Sequence, residues 1–248
     1  MRLSYSKLTS FETCPRMFYL EHVKQLVSED SFYTQYGKFI HELIDLANKG
    51  EAGGDELLHR FKADYDKFVT IPHPLGKERE EEYFLQAYDY IAGFKSVISG
   101  AEILASEQKY ITEKFGGEYS GIIDMIVRLP DGSTAIVDHK STASKSFRGK
   151  SGDRKFRQLY LYSTFPEVSD NFSPDKLIIN CFRENKIITR DYNKDALAEA
   201  LDWAECTAHE IRFMLNKYAD SESAWETNKQ YFWCDNVCGC SSQCEEMM

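Results

Sequence analysis

Three charged residues, Asp124, Asp138 and Lys140, are the part of this 248-residue chain best suited to chemistry. Asp124 lies in GIIDMIV, and Asp138 and Lys140 lie in IVDHK, so each stands beside or within an apolar run. Charged side chains inside buried strands are rare unless they are paired or bind a ligand. A polar face on an exposed sheet is the alternative explanation, and it is weaker for three such residues than for one.

The residues between these two runs predict how the carboxylates are arranged. Pro130-Asp131-Gly132 fits a three-residue hairpin loop with a left-handed glycine, which pairs Leu129 with Ser133. Residues that face each other then have numbers that sum to 262, so we expect Asp124 to lie opposite Asp138. The loop therefore predicts that two strands bring the two carboxylates together.

Lys140 follows Asp138 by two residues and therefore projects to the same face of the strand. Facing carboxylates have Cβ atoms only about 5 Å apart and repel each other. A divalent cation offsets this repulsion, and Mg²⁺ and Mn²⁺ bind carboxylate oxygens while keeping positions for water and phosphate. Lys140 could then orient or activate an attacking water and neutralise developing charge.

The elements that must position these residues follow from the hydrophobic periodicity. Helical spacing predicts two short helices around Pro15 and further helices over 36–48, 55–69, 78–98, 156–165 and 194–218. Alternation predicts strands over 102–112, 117–129, 133–142, 176–182 and 185–192. This order predicts an α/β sandwich. We expect a single domain with a helical part (1–100), an α/β core (101–192) and a C-terminal helix with a cysteine cluster (193–248).

Composition and charge narrow the class of protein. No apolar run approaches the roughly 20 residues of a membrane span, and the start of the chain lacks the apolar region of a signal peptide, so we expect a cytosolic protein. The net charge of -10 argues against indiscriminate nucleic-acid binding. However, residues 140–157 contain seven basic residues and one acid. This strip is either a solvated loop or a groove that follows phosphates.

The chain ends in a run of cysteines, CDNVCGCSSQC at residues 234–244. There are seven cysteines in all, so they cannot all pair with each other. Reducing compartments also disfavour structural disulfides. The run therefore favours binding of a metal ion or cluster over a disulfide knot.

Taken together, these motifs resemble the PD-(D/E)XK nuclease superfamily, and within it the RecB-like branch. The resemblance covers residues 37–162 in order, and the two ends of the chain extend it. It is carried by the opening SYSKLTSFETCPRMFYLEHV, then GKFIHEL with His41, GIIDMI, IVDHKST, and Gln158-Leu-Tyr-Leu-Tyr162. The implied fold is α/β: a restriction-endonuclease-like core, with a mixed central sheet flanked by helices, N-terminal helical additions and a C-terminal cysteine cluster.

The resemblance also implies roles for individual residues. It makes His41, Asp124, Asp138 and the carbonyl of His139 the ligands of Mg²⁺ or Mn²⁺, and Lys140 the residue that places the attacking water. It gives Gln158 and Tyr162 contacts with DNA or a role in ordering the site, and it gives Arg148 and Arg154 of the basic strip contacts with phosphates. Glu107 is left open as a second acidic ligand or a surface residue.

The same branch includes members with an iron-sulfur cluster. The resemblance implies a structural [4Fe-4S] cluster held by Cys14, Cys234, Cys238 and Cys244, with Cys240 as the alternative to Cys238. The gap from Cys238 to Cys244 matches the branch, whereas the gap from Cys234 to Cys238 is one residue longer. Zinc accepts the same four thiolates and is the alternative. Two further cysteines, at positions 181 and 206, are expected to be buried structural thiols.

The function implied by the resemblance is metal-dependent hydrolysis of DNA, with exonuclease action on ends or single strands favoured. The chain is most similar to the stand-alone exonucleases of CRISPR adaptation and of bacterial viruses. It contains no G-x-x-x-x-G-K-[ST] motif, so we expect no fused helicase, and the expected partners are DNA and a recombination or CRISPR adaptation protein. The alternatives are a non-catalytic DNA-binding or assembly module of the same fold, and a structure- or site-specific endonuclease with structural zinc.

Overall fold

The computed structural model of the chain describes residues 1–165, 168 and 173–244. Contacts between Cα atoms divide the chain into two compact units. The terminal unit comprises Met1–Ser31, Ile111–Gly121 and Ala198–Met248, and the core unit comprises Phe32–Tyr110 and Ile122–Leu197. Each functional cluster described below lies within one unit.

The terminal unit begins with two short helices, α1 (Tyr5–Thr13) and α2 (Pro15–Phe18), as the sequence predicts. Ser4 caps α1 by accepting a hydrogen bond from the backbone of Lys7 at 3.3 Å. Pro15 occupies the first turn of α2, where its missing N–H costs no helical hydrogen bond. A π-helical turn, Tyr19–Val23, follows directly.

Trp225 connects the two ends of the chain within the terminal unit. Its side chain is fully buried and stacks on Tyr19 and Phe18, with ring centroids 5.1 Å and 6.0 Å away. Arg16 donates a hydrogen bond to the Trp225 carbonyl at 2.8 Å and forms an ion pair with Glu222 at 3.0 Å. The helical start and the C-terminal segment therefore share one aromatic core.

The core unit begins with three helices, α3 (Phe32–Asn48), α4 (Asp55–Phe68) and α5 (Lys77–Ala92). Their apolar faces form one buried cluster that is rich in aromatic rings. All three predicted helices are confirmed, although α5 ends six residues earlier than predicted. Gly93 caps its C-terminus, and glycine is a weak helix former.

The strands form a mixed sheet. They are β1 (Leu3–Ser4), β2 (Glu102–Lys114), β3 (Gly117–Arg128), β4 (Thr134–Lys140), β5 (Lys176–Cys181) and β6 (Lys186–Asp191). In the core unit the strand order is β3-β4-β5-β6, and β4 pairs with β5 in parallel while the other two pairs are antiparallel. In the terminal unit β1 runs parallel to the first half of β3.

The remaining helices are α6 (Gly149–Lys155), α7 (Arg157–Tyr162), α8 (Lys194–Tyr218) and α9 (Tyr231–Asn236). Helix α8 has the predicted bounds. The predicted helix over 156–165 is shorter and corresponds to α7, which follows α6, the helix that lies within the basic strip. A mixed sheet with helices confirms the predicted restriction-endonuclease-like fold class. Within the ranges that the structure describes, no helix is long and apolar enough to cross a membrane.

Candidate active site

The hairpin of β3 and β4 has the register that the sequence predicts. Met125 faces Val137, and Arg128 faces Thr134, so paired residue numbers sum to 262. The Leu129 N–H donates to the Ser133 carbonyl at 2.7 Å, and the glycine of the loop has a φ of 86°. This register leads both strands to the two aspartates.

His139 links two side chains of the site through its backbone. Its N–H donates a hydrogen bond to Oδ2 of Asp124 at 2.7 Å. Its carbonyl accepts one from Nε2 of His41 at 2.9 Å. His41 lies on α3 beside the buried residues Ile40 and Leu43, so the helix packing that holds the apolar stripe also presents the imidazole. The backbone of one residue therefore joins the strand hairpin to the helix.

Glu107 joins His41 and Asp124 in one cluster of ligand atoms. Nδ1 of His41 lies 3.7 Å from the Glu107 carboxylate and 3.6 Å from the Asp124 carboxylate. Of the His, Cys, Asp and Glu side chains that the structure describes, these three form the one group whose ligand atoms lie within 4.8 Å of one another. Glu107 has a positive φ of 47° within β2, a backbone conformation that costs a non-glycine residue about 1–3 kcal/mol. This strained residue carries a carboxylate of the cluster.

Asp138 starts a second chain of contacts, directed toward α7. Nζ of Lys140 lies 2.8 Å from Oδ2 of Asp138 and donates to its Oδ1 at 3.0 Å. Lys140 also donates to Oε1 of Gln158 at 3.1 Å. The amide nitrogen of Gln158 donates to the Tyr162 hydroxyl at 2.9 Å. The structure thus brings the predicted D-x-K and Q-x-x-x-Y residues into one hydrogen-bonded chain.

The charged groups of the site oppose the effect of burial on one another's pKa values. Burial raises the pKa of Asp124, although His41 and Lys140 oppose that shift. Burial likewise raises the pKa of Asp138, with Lys140 opposing it. Burial alone would lower the pKa of Lys140, but the charges of Asp138 and Asp124 outweigh it and raise that pKa. Lys140 is therefore a protonated hydrogen-bond donor at neutral pH.

The pKa values of the two histidines shift in opposite directions. Burial would lower the pKa of His41, but the Glu107 carboxylate 3.7 Å away and the charge of Asp124 outweigh it, so this pKa is raised. Burial and the charge of His41 lower the pKa of His139 to about 3. The His139 ring is consequently neutral at physiological pH.

The basic strip contributes exposed charge. Arg148 and Arg154 are exposed at the start and near the end of α6. Asp153 between them pairs with Arg190, which also stacks on Phe156 at 4.1 Å. The contact of these two arginines with DNA stays a prediction.

A second candidate site lies in the terminal unit, where one cavity is lined by five cysteines together with Arg16 and Lys229. The cysteines are Cys14, Cys234, Cys238, Cys240 and Cys244, and each is a free thiol. The cluster thus includes Cys14 from the start of the chain and all four cysteines of the terminal run. The proximity of these two segments agrees with the ligand set that the resemblance implies.

Backbone N–H groups point at two of these sulfurs. The Cys14 sulfur accepts a hydrogen bond from the Met17 N–H at 3.5 Å. Burial raises the pKa of Cys238, although the N–H of Cys240 donates to its sulfur and lowers it. Burial raises the pKa of Cys240 to about 12. Cys238, whose sulfur accepts this N–H, is therefore better suited than Cys240 to bind as a thiolate.

The two remaining cysteines have different environments. Cys181 is buried at the end of β5, as predicted. Cys206 is exposed, so the prediction that it is buried is wrong. Residues Ala204, Thr207, Ala208 and Ile211 form the buried face of α8, and Cys206 lies off that face.

A sequence model of the PD-(D/E)XK nuclease superfamily matches residues 2–245, which is nearly the whole chain. The chain belongs to the PD-(D/E)XK nuclease superfamily. A crystal structure of a proposed exonuclease from Eubacterium rectale has the same fold, with a TM-score of 0.53 and 17% identity, over 98% of this chain and 87% of that one.

Two curated relatives of this PD-(D/E)XK chain are named as subunits of an ATP-dependent helicase/deoxyribonuclease. The protein of Streptococcus agalactiae serotype Ia is 26% identical over 155 residues, which cover 58% of this chain. The protein of Streptococcus equi subsp. zooepidemicus strain H70 is 22% identical over an alignment of 263 positions, which covers 94% of this chain. The chain spans only 14% and 24% of their respective lengths.

Within this site, the sequence alone leaves open whether Glu107 is a ligand or a surface residue, and it does not indicate which residues surround the His139 ring. The signal for Glu107 is an acid at an interior position of the predicted strand that precedes the hairpin of β3 and β4. Its carboxylate reaches His41 through a positive φ, which periodicity does not reveal. No comparable pattern marks the partners of the His139 ring, because they come from separate elements.

Proposed function

We propose that this chain is a metal-dependent deoxyribonuclease that hydrolyses phosphodiester bonds, with exonuclease action on DNA ends or single strands. The observation that carries the proposal is the buried carboxylate of Asp138. Its Oδ2 makes no hydrogen bond of good geometry with the residues that the structure describes, although Lys140 lies close to it. A buried carboxylate oxygen without such a bond is what a divalent cation would complete.

The donor types of the site suit Mg²⁺ or Mn²⁺. Asp124, Asp138, the His139 carbonyl and His41 would hold the ion, and Glu107 lies close enough to His41 and Asp124 to add a carboxylate. Neighbouring ligands of an octahedral Mg²⁺ lie roughly 3 Å apart, because each lies about 2.1 Å from the ion. Nδ1 of His41, the ring nitrogen that does not bond to the His139 carbonyl, lies 3.6 Å from the Asp124 carboxylate and 3.7 Å from the Glu107 carboxylate, slightly wider than that spacing.

The chain's own residues supply the rest of the proposed mechanism. A bound ion would polarise the phosphate and lower the pKa of water. The Lys140 ammonium has three N–H groups, and its contacts to Asp138 and Gln158 fix its direction. Since its pKa is raised, Lys140 would orient the water and stabilise negative charge on the phosphate rather than remove a proton.

For the terminal unit, we propose a structural [4Fe-4S] cluster held by Cys14, Cys234, Cys238 and Cys244. Zinc accepts the same four thiolates, and the resemblance to iron-sulfur members of the branch is what favours the cluster over a single zinc ion. Hydrolysis needs no electron, so the cluster would hold the ends of the chain together.

The proposed partners are DNA and a recombination or CRISPR adaptation protein. The helicase/deoxyribonuclease proteins among the relatives support the first, and they make a helicase-associated nuclease a further candidate. The chain covers a quarter or less of the length of those relatives, so we do not propose their complete helicase/deoxyribonuclease activity for this chain. The exposed arginines of α6 offer the positive charge that phosphates require.

Incubation with linear and circular DNA in Mn²⁺ tests the proposal. An exonuclease would degrade linear DNA and leave covalently closed circles intact. A site-specific endonuclease would cut the circle into discrete products. Loss of neither substrate would favour the non-catalytic DNA-binding module and overturn the proposed activity.

A further inference from the structure

The His139 side chain is held by two residues that the proposed chemistry does not use. Asn180 donates from its amide to Nδ1 of His139 at 3.2 Å and to the hydroxyl of Tyr90 at 2.8 Å. The three side chains are buried, with exposed fractions of 2% for His139, 1% for Asn180 and 6% for Tyr90. Buried polar groups depend on one another for hydrogen bonds, so this trio behaves as one network.

Asn180 is the residue that orients the His139 ring. The other ring nitrogen, Nε2, makes no hydrogen bond with the residues that the structure describes. The ring also packs against His41 in an edge-on arrangement, with centroids 5.6 Å apart. A rotation or shift of the His139 ring would therefore disturb His41 directly.

The two anchoring residues lie on elements that are themselves fixed. Asn180 is the neighbour of His139 in the parallel pairing of β4 and β5. Tyr90 lies on α5, where its ring packs against Phe182 and Phe94 with centroids 6.0 Å and 5.5 Å away. The network thus joins the sheet to the aromatic core through His139.

The position of the His139 backbone matters for both neighbouring ligands. Its N–H holds Asp124 and its carbonyl holds His41, at 2.7 Å and 2.9 Å. We propose, building on the proposed function, that Tyr90 and Asn180 are positioning residues that fix His139, and through its backbone Asp124 and His41, in the arrangement that binds the divalent cation. Groups that hold a ligand from outside the coordination sphere commonly change metal affinity by about 10–100-fold when they are removed.

Two substitutions test this role, Tyr90→Phe and Asn180→Leu, with Mn²⁺ binding measured by calorimetry on the purified chain. Tyr90→Phe keeps the ring packing and removes the hydroxyl, and Asn180→Leu removes both amide bonds. We expect the Mn²⁺ dissociation constant to rise about tenfold in each. The Mn²⁺ concentration for half-maximal DNA hydrolysis should rise equally, while the rate at saturating Mn²⁺ stays within about twofold of wild type.

Tyr36→Phe is the matched control, because it also removes a buried hydroxyl hydrogen bond, the 3.0 Å bond to the Tyr83 carbonyl. It should lower the melting temperature without changing Mn²⁺ affinity. Unchanged Mn²⁺ affinity in Tyr90→Phe would overturn the positioning role even if Asn180→Leu fails to fold. Absence of Mn²⁺ binding by wild type, or equal binding by Asp124→Asn, would instead overturn the proposed metal site itself, and the positioning role with it.

Discussion

The ammonium of Lys140 donates a hydrogen bond to the side-chain oxygen of Gln158 at 3.1 Å, and this bond links the hairpin of β3 and β4 to α7. Gln158 is held in turn by its bond to the Tyr162 hydroxyl. The direction of the Lys140 side chain, at the end of β4, is thus set by a residue of α7 that lies 18 positions later in the chain. We therefore expect the Q-x-x-x-Y pair to help place the lysine.

The first prediction concerns Gln158→Ala. Without the amide, Lys140 would keep only its contact with Asp138 and lose part of its alignment. Misplaced catalytic groups cost up to about a hundredfold in rate, so we expect kcat for DNA hydrolysis to fall by about ten- to a hundredfold. The Mn²⁺ dissociation constant should stay near the wild-type value.

Tyr162→Phe should show the same pattern with a smaller loss, because Gln158 itself remains. Tyr160→Phe on the same helix is the control, since that tyrosine does not bond to Gln158. A fall in Mn²⁺ affinity with no change in kcat would contradict the role given to this pair.

The second prediction concerns pH. Metal binding requires the deprotonated forms of Asp124, Asp138 and His41, and the pKa of each is raised. Raised pKa values mean that protons compete with the ion at a higher pH than for ordinary side chains. Mn²⁺ affinity, measured by calorimetry from about pH 8 down to about pH 6, should therefore already fall above 6.5, the ordinary pKa of histidine. A dissociation constant that does not change over this range would contradict the site.

The third prediction concerns Glu107. Glu107→Ala should weaken Mn²⁺ binding by about tenfold, because the cluster loses a carboxylate. Glu113→Ala, which removes an exposed glutamate from the same strand, is the matched control and should bind normally. Glu107→Gly should be about 1 kcal/mol more stable than Glu107→Ala, since glycine tolerates the positive φ. Equal affinity of wild type and Glu107→Ala would make Glu107 a surface residue.

The fourth prediction concerns Gly239, between two cysteines of the terminal unit. A Cβ atom there would lie 2.5 Å from the carbonyl oxygen of Glu29, and the Gly239 carbonyl accepts a hydrogen bond from the Glu29 N–H at 2.8 Å. Gly239→Ala should displace Cys238 and lower the iron and sulfide content of anaerobically purified protein. Gly117→Ala, where a Cβ meets no atom within 4 Å, should keep its iron.

Those two glycine variants test the position of the terminal cysteines, and Cys14→Ser tests the cluster. It should lower both the iron content and the melting temperature. Wild-type protein without iron, but with one equivalent of zinc, would contradict the cluster and favour the zinc alternative.

The sequence predicts the hairpin of β3 and β4 because the determinants of its register are local. A Pro-Asp-Gly loop allows few strand pairings, so the register of the hairpin, in which Met125 faces Val137, follows from the turn. The helix carrying His41 is similarly marked by its apolar stripe. Where a residue's position depends on its neighbours in the chain, the turn residues and the hydrophobic periodicity are sufficient to predict it.

The remaining features depend on tertiary contacts that no local pattern records. In the sequence, Asn180 is a single polar residue in an apolar strand. The parallel pairing of β4 with β5 is what brings it to His139. The strained φ of Glu107 and the exposure of Cys206 likewise follow from the packing of whole elements. Hydrophobic periodicity predicts which face of a helix or strand a residue lies on, but tertiary packing determines which residues that face contacts.

The most direct test of the central claim is hydrolysis of end-labelled linear DNA by wild type and by Asp138→Asn, with Mn²⁺ or with a chelator. Asp138→Asn keeps the shape of the side chain and removes the charge that the ion would bind. The account predicts Mn²⁺-dependent release of label by wild type and a loss of at least about a hundredfold in folded Asp138→Asn. Equal release by the two proteins, or release that persists in the chelator, would contradict it.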